Sequence, residues 1–254
     1  MQFKVVIPAR LASTRLPSKP LLPLAGRPMI LHVCERALAS GADQVVVATE
    51  DPAIMDVVAH MPVEGMLTSS EHVSGTSRIA EVCSRMGWSG ETVVVNLQGD
   101  EPLMPPELIA ELASTLSSDT DCHVATMAAA MTQWNDIADP NIVKVVMDRQ
   151  QRALYFSRAA IPCERDRHSV EGDGVPAGIY WRHIGMYAYT AAYLRQYASL
   201  EPSPLEDLEK LEQLRVLWHG DAIKVLTVPQ APPPGVDTEA DRQRVESILL
   251  QYMR

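Results

Sequence analysis

Compact apolar runs alternate with amphipathic stretches over the first 117 residues of the chain. The apolar runs are typical of buried strands, since a strand covered on both faces has no polar side to present. They are "VVIP" (5–8), "QVVVATED" (44–51) and "ETVVVNLQGDEPLM" (91–104), and the apolar runs of the last two continue directly into polar residues. The other stretches predict helices at 28–42, 51–60, 74–86 and 105–116, and the first has apolar residues at helical spacing from Ile30. This alternation predicts an α/β fold with a mostly parallel sheet and helices on both faces.

The pattern changes from about residue 121, where strands predominate. Apolar runs predict strands at 122–131, 142–148, 152–158, 184–190 and 222–228. A charged segment at 163–176 predicts a loop, and 202–220 predicts one long helix capped by Ser203. A final helix at 238–253 carries its apolar face on Val245, Ile248, Leu249 and Tyr252. We expect a single domain over 1–254 in which about 121–200 forms an inserted β-rich sub-region.

Composition and charge exclude several classes of protein. The net charge of −10 over 254 residues argues against a nucleic-acid-binding protein, which normally presents a basic face. No apolar run approaches the ~18 residues that a membrane span needs, and the N-terminus shows no signal-peptide pattern. The four cysteines form no CxxC pair, so neither a zinc site nor a disulfide framework is indicated. These features together predict a cytoplasmic protein.

The loop after the first strand carries three cations, Arg10, Arg15 and Lys19, between prolines. Three such charges in a stiff loop repel one another unless an anion lies among them. The loop contains neither the GxxxxGK[ST] phosphate loop nor the GxGxxG dinucleotide motif. Arginine and lysine side chains suit phosphate oxygens, so the loop predicts a phosphate site built from side chains. The alternative is an ordinary surface loop whose charges pair with acidic neighbours.

Two aspartates are candidate metal ligands. Asp100 follows directly on a predicted buried strand, and Asp237 precedes the final helix. Hard cations such as Mg²⁺ take carboxylate oxygens and often bridge to substrate phosphates. The alternative role for Asp100 is a turn or helix cap, and for Asp237 it is the cap of the final helix.

Seven segments, spread from about residue 3 to 245, resemble those of the 3-deoxy-manno-octulosonate (Kdo) cytidylyltransferases. They are "IPARLASTRLPSKPL", "HVSGTSR", "NLQGDEP", "ALYFSRAAIP", "RHIGMYAY", "LEKLEQLRVLWHG" and "GVDT". Each segment is moderately specific, and their joint occurrence in order is strongly so. Two positions depart from the family: Ser18 replaces a usual glycine, and Ser77 replaces a usual acidic residue.

The resemblance implies a Rossmann-like nucleotide-diphospho-sugar transferase fold, Mg²⁺ dependence and a homodimer, whose interface we expect in the 150–200 region. It implies the reaction of CTP with Kdo to give CMP-Kdo and diphosphate, a step of lipopolysaccharide biosynthesis. The implied catalytic residues are Arg10, Arg15, Lys19, Asp100 and Asp237, the two aspartates being the metal ligands. The implied nucleotide-binding residues are Ala9, Arg10, Ser13, Arg15, Lys19, Ser74, Thr76 and Arg78. The implied sugar-acid contacts are Gln98, Arg158, His183, Tyr187, Glu212 and Gln213.

Several alternatives stay open at the level of sequence. His183 and Tyr187 lie four apart on a predicted strand, so core packing would also explain them. Glu212 and Gln213 would otherwise lie on the solvated side of a helix. The acceptor could be an amino-substituted Kdo or a sialic acid, because the basic loop contacts only the nucleotide. A non-catalytic nucleotide-binding protein of the same fold is a third hypothesis.

Overall fold

The structure is a computed structural model that describes residues 2–11, 16–72, 74–165 and 174–252. The chain forms two compact units. Unit 1 comprises Met1–Ser114, Ala188–Ala198 and Pro232–Arg254, and unit 2 comprises Thr115–Tyr187 and Ser199–Ala231.

The described residues contain eleven strands and nine α-helices. The strands are β1 (Phe3–Pro8), β2 (Pro23–Leu24), β3 (Arg27–Pro28), β4 (Gln44–Thr49), β5 (Glu64–Leu67), β6 (Val93–Asn96), β7 (Val124–Ala130), β8 (Lys144–Met147), β9 (Ala153–Ser157), β10 (Trp181–Thr190) and β11 (Ile223–Val228). The helices are α1 (Met29–Ala39), α2 (Pro52–Val58), α3 (Gly75–Met86), α4 (Pro106–Ser117), α5 (Trp134–Ala138), α6 (Ala191–Tyr197), α7 (Pro204–Glu209), α8 (Leu214–Trp218) and α9 (Glu239–Tyr252). No helix in these ranges is long and apolar enough to cross a membrane.

Unit 1 is built on a parallel sheet in the order β6-β1-β4-β5. Val5 at its centre pairs with Val45 on one side and Val95 on the other, and all three side chains are buried. Strands covered in this way explain the unbroken apolar runs of the sequence. The predicted parallel βαβ arrangement is therefore confirmed.

The carboxyl ends of β1, β4 and β6 lie side by side and position the loops that follow. The N–H of Ala9 donates to the carbonyl of Ala48 at 2.9 Å, and that of Leu97 donates to the carbonyl of Val6 at 3.1 Å. These bonds continue the ladder past the strands and bring the loops after β1 and β6 together. Ligands in open parallel sheets bind at this edge.

Unit 2 contains the strand order β11-β7-β10, with β8 antiparallel to both β10 and β9. The strands predicted in this part of the sequence are all present. Lys144 of β8 is fully buried, and its ammonium donates to the carbonyls of Asp139, Ile142 and Arg158 at 2.9, 2.6 and 2.6 Å. Burial lowers the pKa of Lys144. Its ammonium group links the backbone at Arg158 to that at Asp139 and Ile142, which holds the chain around Arg158 in place.

The single helix predicted over 202–220 is wrong, because the structure divides it into α7 and α8. Lys210 adopts a left-handed conformation with φ 54°, and the carbonyl of Glu209 accepts a hydrogen bond from Nε of Arg158 at 2.8 Å. This tertiary hydrogen bond satisfies the carbonyl of Glu209, the last residue of α7, which has no partner within the helix. The predicted cap is confirmed, since Ser203 and Glu206 form a reciprocal capping box.

Five short features have no counterpart in the sequence prediction. They are a 3-10 helix (Lys19–Leu21), the β2–β3 hairpin, β5, α5 and α6. β5 pairs only with β4, and its pattern "EGML" alternates exposed and covered positions too briefly to show a period. The loop predicted at 163–176 lies mainly outside the described residues, as does the side chain of Tyr252. The four cysteines are free thiols: Cys34, Cys83 and Cys122 are buried and Cys163 is exposed.

Ser18, which replaces the family's glycine, has φ 55° and ψ 31°, in the left-handed region. Residues with a β-carbon pay roughly 1 kcal/mol or more for that conformation. We therefore expect Ser18→Gly to leave the free energy of unfolding unchanged or raise it by up to ~1 kcal/mol, measured by urea denaturation. Ser89, whose backbone φ is negative, is the control: Ser89→Gly should lower the same free energy. Clear destabilisation by Ser18→Gly would contradict the strain argument.

Candidate active site

A cleft of about 460 Å³ opens at the carboxyl edge of the unit 1 sheet. The backbone of Gly99 lies close to that of Pro8 in this cleft, since a β-carbon on Gly99 would be 3.0 Å from the carbonyl oxygen of Pro8. The cleft is lined by Pro8, Ala9, Arg10, Lys19, Pro20, His72, Ser74, Gly75, Arg78, Gln98, Gly99, Asp100 and Asp237. It therefore gathers the described part of the basic loop with both candidate metal ligands.

Lys19 joins the two aspartates at one end of the cleft. Its Nζ lies 2.6 Å from Oδ2 of Asp100 and 2.9 Å from Oδ1 of Asp237. Burial by itself lowers the pKa of Lys19, but the attraction of Asp100 and the hydrogen bonds to both carboxylates outweigh burial and raise it. The ammonium is therefore charged throughout the physiological range.

Asp237 reaches Asp100 because the chain before it lies directly against the loop after β6. The N–H of Val236 donates to the carbonyl of Asp100 at 2.9 Å, and the Val236 side chain is buried. A β-carbon on Gly235 would lie 2.7 Å from that same carbonyl oxygen. Only glycine allows this approach. The apolar cluster around Val236 contains Leu24, Met29, Val245 and Leu249.

Neither aspartate is a helix cap, so the cap interpretation is wrong for both. Asp100 does lie in a turn, in which the N–H of Glu101 donates to the carbonyl of Gln98 at 3.2 Å. Thr238 caps α9: its Oγ1 accepts from the N–H of Asp241 at 3.2 Å, and Asp241 accepts from the N–H of Thr238 at 2.8 Å. Helix α4 begins only at Pro106, six residues beyond Asp100. The side chains of Asp100 and Asp237 instead face Lys19.

The second wall of the cleft is the N-terminus of α3. Ser74 caps this helix by accepting from the N–H of Ser77. Arg78 is buried, with its guanidinium 2.6 Å from Glu50 and hydrogen-bonded to Thr68 at 2.5 Å. Its charge is therefore balanced within the protein. Thr76 is buried in the first turn of α3 and does not line the cleft.

His72 also lines the cleft and was not among the residues assigned a role from sequence. Its Nε2 lies 2.6 Å from Oε2 of Glu81, which also accepts from the N–H of Ser69 at 2.9 Å. Burial raises the pKa of Glu81, but these bonds and one from Arg85 outweigh it and hold that pKa at about 2. Glu81 thus ties the loop before α3 to the helix. The nine-residue separation follows no local spacing rule, so sequence alone could not indicate the pair.

The predicted sugar-acid contacts divide between the units. Gln98 lines the unit 1 cleft, where its amide donates to Oδ1 of Asn96 at 3.2 Å. The other five, namely Arg158, His183, Tyr187, Glu212 and Gln213, lie in unit 2. Glu212 and Gln213 occupy the turn between α7 and α8 and not the solvated side of one helix.

His183 and Tyr187 form a polar cluster with Thr126. Nε2 of His183 lies 2.9 Å from the Tyr187 hydroxyl and 3.1 Å from Oγ1 of Thr126, and Phe156 packs edge-on against the imidazole. Burial lowers the pKa of His183 to about 3. The imidazole is therefore neutral at pH 7 and can both donate and accept a hydrogen bond.

Arg158 and Gln213 carry polar groups that the described residues do not fully use. The Arg158 guanidinium donates to the carbonyls of Glu209 and Pro140, and it forms no ion pair within the described ranges. Nε2 of Gln213 is buried and has no hydrogen-bond partner among the described residues. Buried donors are nearly always bonded, so this amide suits a ligand oxygen.

Asp100 and Asp237 fit a divalent cation by their chemistry, being two carboxylates that converge on one point in a polar cleft. No group of three or more His, Cys, Asp or Glu in the described ranges could hold a metal ion. The pair would therefore need further oxygens from a substrate phosphate or from water, as Mg²⁺ sites often do. Ser13 and Arg15 lie outside the described residues.

The comparisons with known proteins agree with this chemistry. A sequence profile described as cytidylyltransferase matches residues 4–224. The chain belongs to the cytidylyltransferase family. It is 60% identical to a 3-deoxy-manno-octulosonate cytidylyltransferase of Methylococcus capsulatus over 97% of this chain and 96% of that protein. A protein of the same name in Halorhodospira halophila is 52% identical, over 96% and 95%. The resemblance to Kdo cytidylyltransferases is confirmed.

Solved structures give the same assignment for the fold. This cytidylyltransferase superimposes with a TM-score of 0.88 on CMP:2-keto-3-deoxy-manno-octonic acid synthetase complexed with CTP, at 39% identity over 99% of both chains. A nucleotidyl transferase from Methanothermobacter, 17% identical over 98% of both chains, has a TM-score of 0.63 and shares the fold alone.

Gly235→Ala tests the contact that positions Asp237. The new methyl group would overlap the Asp100 carbonyl, so we expect the free energy of unfolding to fall by roughly 1–3 kcal/mol in urea denaturation. Gly185→Ala is the control, because no atom lies within 4 Å of its added β-carbon, and it should not destabilise the protein. Equal stability of the two variants would contradict the close approach.

His183→Gln tests the neutral imidazole. The folded-state pKa of His183 is about 3, below the ordinary value of ~6.5. Folding is therefore favoured when the imidazole is neutral, and this contribution to stability is complete above pH 6.5 and is lost as the pH falls towards 3. Between about pH 7 and about pH 5 the wild type should therefore lose roughly 2 kcal/mol more than the variant in urea denaturation. His60→Gln, at an exposed histidine, should lose as much as the wild type. Parallel pH curves for wild type and His183→Gln would contradict the lowered pKa.

Proposed function

We propose that this protein transfers CMP from CTP to the anomeric hydroxyl of Kdo, giving CMP-Kdo and diphosphate for lipopolysaccharide biosynthesis. The observation that carries the proposal is the meeting of Lys19, Asp100 and Asp237 in a cleft at the carboxyl edge of a parallel sheet. Two relatives above half identity carry the name of this enzyme, and the solved relative at 39% identity is described as complexed with CTP.

The triphosphate would occupy the charged end of the unit 1 cleft. Arg10 lies exposed on the cleft wall, and Lys19 offers a second cation beside it, so both can donate charge-assisted hydrogen bonds to phosphate oxygens. Arg15 is proposed as a third from the family resemblance. These cations would stabilise the negative charge that develops on diphosphate as it leaves.

Asp100 and Asp237 would hold Mg²⁺. When bound, this ion would neutralise phosphate charge and lower the pKa of the attacking hydroxyl. The two carboxylates would fix the position of the bound ion, because the N–H of Val236, next to Asp237, is hydrogen-bonded to the backbone carbonyl of Asp100. Phosphoryl transfer depends mainly on such positioning and on charge neutralisation.

The nucleoside would lie against lining residues other than Lys19 and the two aspartates. Ala9, Ser74, Gln98 and the Glu81-bound His72 line the cleft there. Thr76, which is buried, would act from behind this wall. Arg78 lines the cleft itself, with its charge balanced by Glu50.

The unit 2 residues would recognise the sugar acid, and Gln98 of unit 1 is a further proposed contact from the family resemblance. The Arg158 guanidinium suits the carboxylate of Kdo, since it forms no ion pair within the described ranges. The amide of Gln213 and the carboxylate of Glu212 would bond hydroxyl groups. The neutral imidazole of His183, supported by Tyr187, can serve a hydroxyl as donor or acceptor.

Two further parts of the proposal follow from the family resemblance and stay predictions. They are a homodimer with its interface in the 150–200 region, and a cytoplasmic location. We also propose that the chain acts as one nucleotidyltransferase domain, with about 121–200 serving sugar binding and dimerisation.

The test is release of diphosphate with each of four nucleoside triphosphates against Kdo, 8-amino-Kdo and sialic acid, with Mg²⁺ present or chelated. We expect release only with CTP, Kdo and the metal. A preference for another acid would change the acceptor, and nucleotide binding without turnover on any acid would favour a non-catalytic protein.

Asp100→Asn tests the role of the carboxylate in the same assay. Loss of its charge should lower kcat by roughly 100-fold or more while CTP still binds. Asp56→Asn, at an exposed aspartate of α2, is the matched control and should keep wild-type kcat. Full activity of Asp100→Asn would refute the proposed metal ligand.

A further inference from the structure

The ammonium group of Lys19 lies at the point on which both proposed metal ligands converge. It is within 2.9 Å of each carboxylate, and the Lys19 side chain is only 13% exposed. Metal binding and this pairing both use carboxylate oxygens of Asp100 and Asp237. In the arrangement seen here, Lys19 and a divalent cation would therefore compete for the same oxygens.

The charges at this point favour one cation at a time. One lysine and two aspartates sum to a single negative charge, so adding a divalent ion would leave an excess of positive charge in a partly buried place. The described residues offer no third acidic, histidine or cysteine ligand to compensate.

A bound triphosphate changes this balance. Its oxygens bring several negative charges to the same end of the cleft, which Arg10 and Lys19 line. The ammonium can then pair with phosphate and leave the carboxylates to the metal. Metal and triphosphate would thus each favour binding of the other, as linkage requires.

The movement needed is small. The backbone of Lys19 is held in a short 3-10 helix (Lys19–Leu21), where its carbonyl accepts from the N–H of Leu22 at 3.2 Å and the next residue, Pro20, is buried. Its side chain, by contrast, is a flexible four-carbon stem with three equivalent donors. Rotation within that stem can move the charge while the loop keeps its position.

We propose that Lys19 occupies the divalent-cation site in the nucleotide-free protein, and that a bound nucleoside triphosphate opens the site by drawing the Lys19 ammonium onto its phosphate oxygens. The inference rests on the proposed function only in that the substrate is a triphosphate. Free metal ion then binds weakly, and the two ligands load together.

The experiment measures binding of Mn²⁺ alone to the full-length protein by calorimetry and electron paramagnetic resonance, with neither nucleotide nor sugar acid. Lys19→Met and Lys19→Gln should bind Mn²⁺ at least roughly tenfold more tightly than the wild type, since the competing charge is gone. Lys19→Arg keeps the charge and should resemble the wild type. Lys4→Met removes a lysine paired with Asp43 and should change nothing.

A second measurement locates the ion and tests the coupling. Adding Asp237→Asn to Lys19→Met should abolish the gained affinity. CTP, after correction for the Mn²⁺ that it binds itself, should tighten Mn²⁺ binding at least tenfold more in the wild type than in Lys19→Met. Unchanged Mn²⁺ affinity in both Lys19→Met and Lys19→Gln would overturn the proposal, as would a gain that survives Asp237→Asn. Because no acceptor is present, failure of cytidylyl transfer to Kdo would be a separate result.

Discussion

The attraction between one ammonium group and two carboxylates brings together three segments that are distant in the chain. Lys19 is 81 residues from Asp100 and 218 from Asp237. Backbone contacts also hold each segment: the first through its short helix, the second through the end of β6, and the third through the bond from Val236 to the Asp100 carbonyl. Because the charges meet in a partly buried cleft, their interaction is screened less than at an open surface. The ion cluster therefore depends on the parallel order of the strands.

That order also explains how an acidic protein can bind a polyanion. The chain has a net charge of −10, yet three cationic side chains line the cleft together with two carboxylates. Arg78 is neutralised by Glu50, whereas Arg10 and Lys19 lie on the wall where a phosphate would meet them. Local charge thus differs from net charge, which has its effect mainly on solubility and on nonspecific association.

Sequence patterns predicted the parts of the fold that depend on burial, and missed those that depend on single tertiary contacts. The apolar runs of β1, β4 and β6 record coverage on both faces, so they identified the parallel sheet. The break between α7 and α8 arises from Arg158 bonding to the end of α7, about fifty residues away, which no local pattern contains. Likewise, an aspartate before a helix predicts a cap, and only the bonds of Thr238 separate that role from the one that Asp237 has. The cations of the basic loop and the two aspartates were candidates from the residue pattern, and the other predicted site residues came from the family resemblance. His72 was assigned no role, and no local spacing rule would have indicated its partner Glu81.

The two units supply different kinds of chemistry, and this separates two forms of specificity. Unit 1 offers cations and acids, which respond to phosphate charge. That charge is the same in every nucleoside triphosphate. Unit 2 offers a neutral imidazole at His183, a buried amide at Gln213 and the Arg158 guanidinium. In the proposed function, such groups would respond to the hydroxyl positions that distinguish one sugar acid from another, and to the carboxylate that sugar acids share. A site built to hydrogen-bond a hydroxyl rejects analogues lacking it, because its polar groups are then left unpaired. Choice of acceptor should therefore change with substitutions in unit 2 while nucleotide binding stays constant.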